Sequence, residues 1–144
     1  MAWRSGIRVL GVLLWIGAGP AAAETQDVVV KVLVCHATDE PGSIDPACRK
    51  LHGEIGREFR YESLQRLEQR RLSIGIDRVG SVVLPTGKRL RVRPLQVDAA
   101  AVLLAVDVEG AVKTDVRVGK GKSVVIGAER FRGGKLVISL EPSW

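Results

Sequence analysis

Apolar and polar positions change rhythm three times along this chain. Val9 to Ile16 is an almost unbroken apolar run, Asp27 to His36 (DVVVKVLVCH) is dense in valine, and from Ile76 onward apolar and polar residues largely alternate. The valine-dense segment predicts a buried strand. Ala37 to Asp45 (ATDEPGSID) has the Asp, Pro, Gly and Ser content of a turn-rich loop. Asp45 before Pro46 marks a helix start: the carboxylate caps free backbone N–H groups, and proline at the first helical position loses no needed hydrogen bond. Cys48, Leu51, Ile55 and Phe59 then recur on one helical face, so a helix is predicted over 46–59.

Tyr61 to Arg71 (YESLQRLEQRR) has two readings. Its composition favours helix, and Glu62 and Arg66 are spaced for an ion pair one turn apart. Tyr61, Leu64 and Leu67 make only a thin apolar stripe, however, and the segment runs straight into the alternating Leu72, Ile74 and Ile76. The extended reading is preferred.

Beyond Ile76 the pattern is β throughout. Val82 to Leu84 and Leu90 to Val97, joined through Pro85-Thr86-Gly87, form a predicted hairpin. Ala101 to Val108 is apolar on both faces, as a central strand would be. Val112, Thr114, Val116 and Val118 alternate with Lys113, Asp115 and Arg117, which predicts a strand with one wet face. Gly119-Lys120-Gly121 turns the chain into Lys122 to Ala128. Gly133-Gly134 turns it into Lys135 to Leu140, with Pro142 ending the run. The expected class is α+β: one N-terminal strand and helix, then an antiparallel meander forming a sandwich or rolled sheet.

The first apolar run changes how the rest is read. Arg4 and Arg8 precede it, Pro20 follows it, and Ala21-Ala22-Ala23 supplies the small side chains that signal peptidase requires. The run is shorter than the roughly 20 residues of a spanning helix. Residues 1–23 are therefore expected to be a cleaved secretory signal, and 24–144 a single β-rich domain in the periplasm or outside the cell, with no transmembrane segment after cleavage. Without the signal, 20 Lys and Arg oppose 16 Asp and Glu, a net charge of +4. Such an excess favours anionic surfaces without implying nucleic acid. Trp3 and Trp15 leave with the signal, so the stacking platform of a single-strand binder is missing and no nucleic-acid partner is expected.

Export also bears on the cysteines. Every Cys and His lies between residues 35 and 52: Cys35, His36, Cys48 and His52. A Cys35–Cys48 disulfide would join the strand's end to the helix's first turn and contribute about 3 kcal/mol in the chain-entropy model. The alternative is a metal site from Cys35, Cys48 and His52. Against it, Cys35 and His36 should point to opposite faces of their strand, and the paired short Cys spacing of structural zinc modules is absent. The disulfide is preferred, with free thiols as the remaining option. His36 and His52, near Asp39, Glu40 and Asp45, could serve as acid–base groups, but nothing sets a nucleophile beside them. No nucleophile elbow, phosphate loop or dinucleotide fingerprint occurs. Gly119-Lys120-Gly121-Lys122 resembles a phosphate cradle but lies between strands, where a hairpin turn is expected. No catalytic residue, resident metal or cofactor is predicted.

Lys88, Arg89, Arg91 and Arg93 form the candidate patch for an anionic partner, the three Arg on one strand face and Leu90 and Val92 on the other. Lys113 and Arg117 add charge on a later strand. The competing reading is a solvated sheet face that resists aggregation. Pro94 predicts an edge or a bulge, and an exposed edge could receive another chain's strand.

Ile44-Asp45-Pro46, Leu84-Pro85-Thr86-Gly87-Lys88 and Gly133 to Ser139 together resemble small exported bacterial proteins of uncharacterised function, over most of the mature chain. These motifs imply structure and carry no catalytic residues. Ser123 through Pro142 is similar to the final part of outer-membrane secretins, with Ala128 where a second Gly would stand and without the rest of that barrel. The function expected is a non-enzymatic periplasmic binding or accessory protein, contacting an envelope protein or anionic surface through a sheet face or edge. The alternative is a metal-binding protein or enzyme working from the Cys/His window at 35–52.

Overall fold

The computed structural model describes residues 27–55 and 60–144. Residues 1–23 and the predicted helix end at Phe59 lie outside them. Antiparallel strand dominates, arranged as two four-stranded sheets with one short helix. The first sheet has the order β2-β1-β8-β7, with β1 at Asp27–Thr38, β2 at Ser63–Gly75, β7 at Val124–Phe131 and β8 at Gly134–Ser143. The second has the order β3-β4-β5-β6, with β3 at Gly80–Val83, β4 at Arg89–Val97, β5 at Ala101–Val108 and β6 at Val112–Gly119.

Sequential strands pair throughout except at β2/β3 and β6/β7, where the chain crosses between sheets, and β8 returns to pair with β1. The meander is thus flattened and open at two sides rather than closed. Val28, Val30, Val32 and Val34 of β1 and Leu136, Ile138 and Leu140 of β8 interlock with Leu90 and Val92 of β4 and the even positions Val102 to Val108 of β5. Each such side chain, fully buried, contributes roughly 1.5–3 kcal/mol relative to exposure. This sandwich is the main core.

A second apolar cluster lies on the other face of the first sheet. Cys35 and Ala37 of β1, Leu64 of β2 and Val137 of β8 pack there against Cys48, Leu51 and Ile55. Asp45 caps as expected, its Oδ1 accepting from the Ala47 N–H at 2.9 Å, but the first turn, Pro46–Cys48, is a 3-10 turn. The helix α1 follows at Arg49–Ile55.

The extended reading of Tyr61 to Arg71 holds from Ser63 onward, where β2 begins. β2 pairs with β1 along its length, with a register shift between Val34 and Cys35 that leaves Leu67 as the extra residue. A bulge of this kind reverses which alternate positions face the core. Leu64 therefore faces the helix, whereas Leu72 and Ile74 face the sandwich.

Of the two readings of Pro94, an edge or a bulge, the structure shows the bulge: β4 lies between β3 and β5, and Pro94 sits where the β4–β5 register shifts. The β2–β3 connection passes beside it, the Asp77 N–H donating to the Pro94 carbonyl at 2.8 Å. One proline expectation is corrected: Pro142 does not end the last strand, since β8 continues to Ser143. β7 stops opposite Leu140, so Pro142 has a strand on one side only, where proline is tolerated.

Candidate functional site

Cys35 and Cys48 are joined in a disulfide, with Cα atoms 6.5 Å apart, and both are fully buried. The bond fastens the first turn before α1 to the outside of the first sheet. It also removes both thiolates from the metal alternative at Cys35, Cys48 and His52. Among the described residues, no group of Cys, His, Asp and Glu is placed to hold a metal ion.

The histidines diverge, as strand geometry requires. His36 points away from the disulfide; its Nε2–H donates to the Phe131 carbonyl at 2.7 Å, and its ring meets the Phe131 ring edge-on at 5.3 Å. A carbonyl can only accept, so the tautomer follows from the contact. His52, on α1, places Nδ1 at 2.5 Å from the Tyr61 hydroxyl, which also donates to the His52 carbonyl at 3.2 Å. Burial pushes the Tyr61 hydroxyl's pKa above its ordinary value. Both contacts tie one part of the fold to another: His36 holds the β7–β8 hairpin, and His52 holds Tyr61, just ahead of β2. Asp45 is occupied as a cap. The window at 35–52 is thus built as a set of fastenings.

The basic positions fall into two groups. Arg89, Arg91 and Arg93 project from the exposed outer face of the second sheet, while Leu90 and Val92 enter the core. Strand register lays Ser81 and Val83 of β3 beside Arg91 and Arg89, and Ala105 and Asp107 of β5 beside Arg93 and Arg91. Arg91 Nη1 stands 3.8 Å from Asp107 Oδ2. Among the described residues, neither Arg89 nor Arg93 has an ion pair. Lys113 and Asp115 of β6 continue the same face, and Val79, Arg91, Arg93 and Asp107 help line a groove of about 290 Å³ there. Val79 and Val83 are 58% and 56% exposed beside the Arg row. Arg117 reaches Asp98 at 3.6 Å. The Asp98 carboxyl is held below its ordinary pKa chiefly by the backbone N–H groups of Ala100 and Ala101, with Arg117 adding to the effect.

Lys88 does not belong to this face. It precedes β4 and turns to the other sheet, its Nζ 3.2 Å from Glu129 Oε2 of β7. That contact bridges the two sheets, and the second oxygen of Glu129 is buried with no hydrogen-bond partner among the described residues. The patch is therefore three Arg, not four cations.

A second cationic surface escaped the reading of the sequence. Arg60, Arg130, Arg132 and Lys135 line a cleft of about 380 Å³ around the β7–β8 hairpin, with Thr38 and Asp39 on its wall. Three separated stretches of chain supply these residues, so only the strand register brings them together. The one local signal is arginine inside the tight turn Phe131-Arg132-Gly133-Gly134, a position suited to Asn or Gly.

No family model, curated protein or solved structure matches the chain. Among the described residues, no helix is long and apolar enough to cross a membrane.

Proposed function

We propose that this chain is an exported, non-enzymatic binding or accessory protein of the cell envelope, which engages an anionic protein partner through the outer face of its second sheet. The observation that carries the reading is the row Arg89, Arg91 and Arg93, held on one exposed face, with no ion pair among the described residues for Arg89 or Arg93 and with Val79 and Val83 exposed beside it. Apolar contact next to unpaired guanidinium suits a protein surface carrying acidic and apolar side chains together, because arginine grips carboxylates with its planar fork. The disulfide supports an oxidising compartment. The basic, apolar and small-residue succession of residues 1–23 supports export to the periplasm, as does the resemblance to small exported proteins.

The test is chemical cross-linking in envelope extracts, with wild type compared against Arg89→Ser/Arg91→Ser/Arg93→Ser, and affinity for polyglutamate measured over a salt series. A partner captured by wild type and lost from the triple variant at unchanged Tm is expected, with polyglutamate affinity falling as salt rises. Capture and affinity equal in the two proteins, or insensitive to salt, would overturn the reading.

A further inference from the structure

The edge strands of the two sheets are not alike. β3 is only four residues long, and β2 and β7 each carry a register shift, with Leu67 and Ile126 as the extra residues. Short or bulged strands resist pairing with another chain. β6 has neither device. It pairs with β5 from Val112 to Gly119 without a shift and, among the described residues, no strand pairs with its other side. What guards this edge is charge, and the charges alternate in sign.

Lys113, Asp115 and Arg117 leave the outer face of β6 in succession. Arg117 is engaged by Asp98 at 3.6 Å, whereas among the described residues neither Lys113 nor Asp115 has an ion pair. An identical strand laid antiparallel, with a two-fold axis at Thr114, sets Lys113 opposite Asp115 of the second copy and Asp115 opposite Lys113 of the second copy. The same register sets Val112 against Val116 and Thr114 against Thr114 on the inner side, where both valines are only partly buried and Thr114 is exposed. Opposite charges and β-branched side chains are favourable cross-strand neighbours. An axis at Asp115 would instead bring Asp115 onto Asp115 and Lys113 onto Arg117. An axis at Val116 would set Asp115 against Arg117 in competition with Asp98 and leave Lys113 without a partner. Only the axis at Thr114 uses both unpaired charges.

We propose that two copies of this chain associate through β6, antiparallel about a two-fold axis at Thr114, and join their second sheets into one continuous sheet. The contact is self-complementary, each residue meeting in the other copy the residue that it is met by. Both Arg rows then lie on the same side of the joined sheet, but the association does not rest on what those rows bind.

The test is sedimentation equilibrium of the intact, oxidised chain over a concentration series. A reversible monomer–dimer equilibrium is expected. Asp115→Lys and Lys113→Asp should each weaken it about tenfold or more, because two attractive cross-strand pairs become two repulsive ones. Mixing those two variants one to one should restore the dimer, and so should Lys113→Asp/Asp115→Lys in one chain, since opposite charges then face each other at both places. Restoration also shows that the single variants, checked by unchanged circular dichroism, are folded. The Arg89/Arg91/Arg93 triple Ser variant should dimerise as wild type does, which separates this association from the fate of the Arg face. A chain that stays monomeric up to about 1 mM, a dimer undiminished in both single variants, failure of both restorations, or loss of the dimer in the triple Ser variant would overturn the proposal.

Discussion

Single residues in this protein act mostly as fasteners between elements. Glu141 of β8 accepts from Lys50 of α1 at 2.7 Å and lies 3.8 Å from Lys31 of β1. The Lys50 hydrogen bond, followed by the charges of Lys50 and Lys31, holds the Glu141 carboxyl below the ordinary glutamate range against a smaller opposing effect of burial. A depressed folded-state pKa gives stability that is present above the unfolded value, about 4.3, and is lost as pH falls through the folded value. Glu141→Gln should therefore cost about 0.5 kcal/mol at neutral pH, as befits a partly exposed pair, and nothing once the carboxylate is protonated. Urea midpoints from pH 7 down to pH 3 check this: the two proteins should converge below about pH 4. Arg132 makes the opposite case, a residue whose backbone costs stability. Arg132→Gly at φ 45° should gain roughly 0.5–1 kcal/mol, the left-handed penalty less the entropy of glycine, read as a raised Tm.

Among the elements, α1 is the one that depends on a covalent bond. Arg49–Ile55 is too short to be stable alone, and it rests on the sheet through Leu51, Ile55 and the buried disulfide. Cys35→Ser/Cys48→Ser, or reduction, should cost about 3 kcal/mol. Amide exchange over Arg49–Ile55 should rise sharply while β1 and β8 below the sandwich core stay protected; equal loss everywhere would mean the helix and sandwich unfold as one. The strands were mostly legible because alternation in β4 and β6 and glycine at the turns leave few other structures open. The disulfide was legible because the export expected from residues 1–23 and the cysteine spacing point the same way. β2 was ambiguous for a physical reason: the extra residue at Leu67 breaks the period, and an edge strand carries polar residues on both faces. Lys88 was grouped with the Arg row by adjacency alone; alternation sets it with Leu90 and Val92, on the side that meets Glu129 of the other sheet. The hairpin cleft was not legible at all, since it exists only through the pairing of Arg130 with Lys135 and the approach of Arg60.

At the scale of the whole molecule, one sheet serves two cores. The inner face of the first sheet closes the sandwich and its outer face holds the helix, so β1 is buried on both sides near Val34 and Cys35. The second sheet has only the sandwich, which leaves its other face to solvent and to the Arg row. Leu104, fully buried on β5, belongs to the sandwich alone. Leu104→Ala should cost 2–5 kcal/mol, roughly, from lost transfer energy and the cavity left behind. In a chain starting at Glu24, Trp144 is the sole Trp; it packs on the sandwich, and its Nε1–H donates to the Asp98 carbonyl at 2.8 Å, tying the end of β8 to the β4–β5 turn. Its fluorescence and far-ultraviolet circular dichroism should therefore report the same urea midpoint, shifted equally by Leu104→Ala. Combining that change with Cys35→Ser/Cys48→Ser separates the cores. Independent cores predict costs that add to within about 0.5 kcal/mol, and coupling larger than that would show that β1 transmits packing from one face of its sheet to the other.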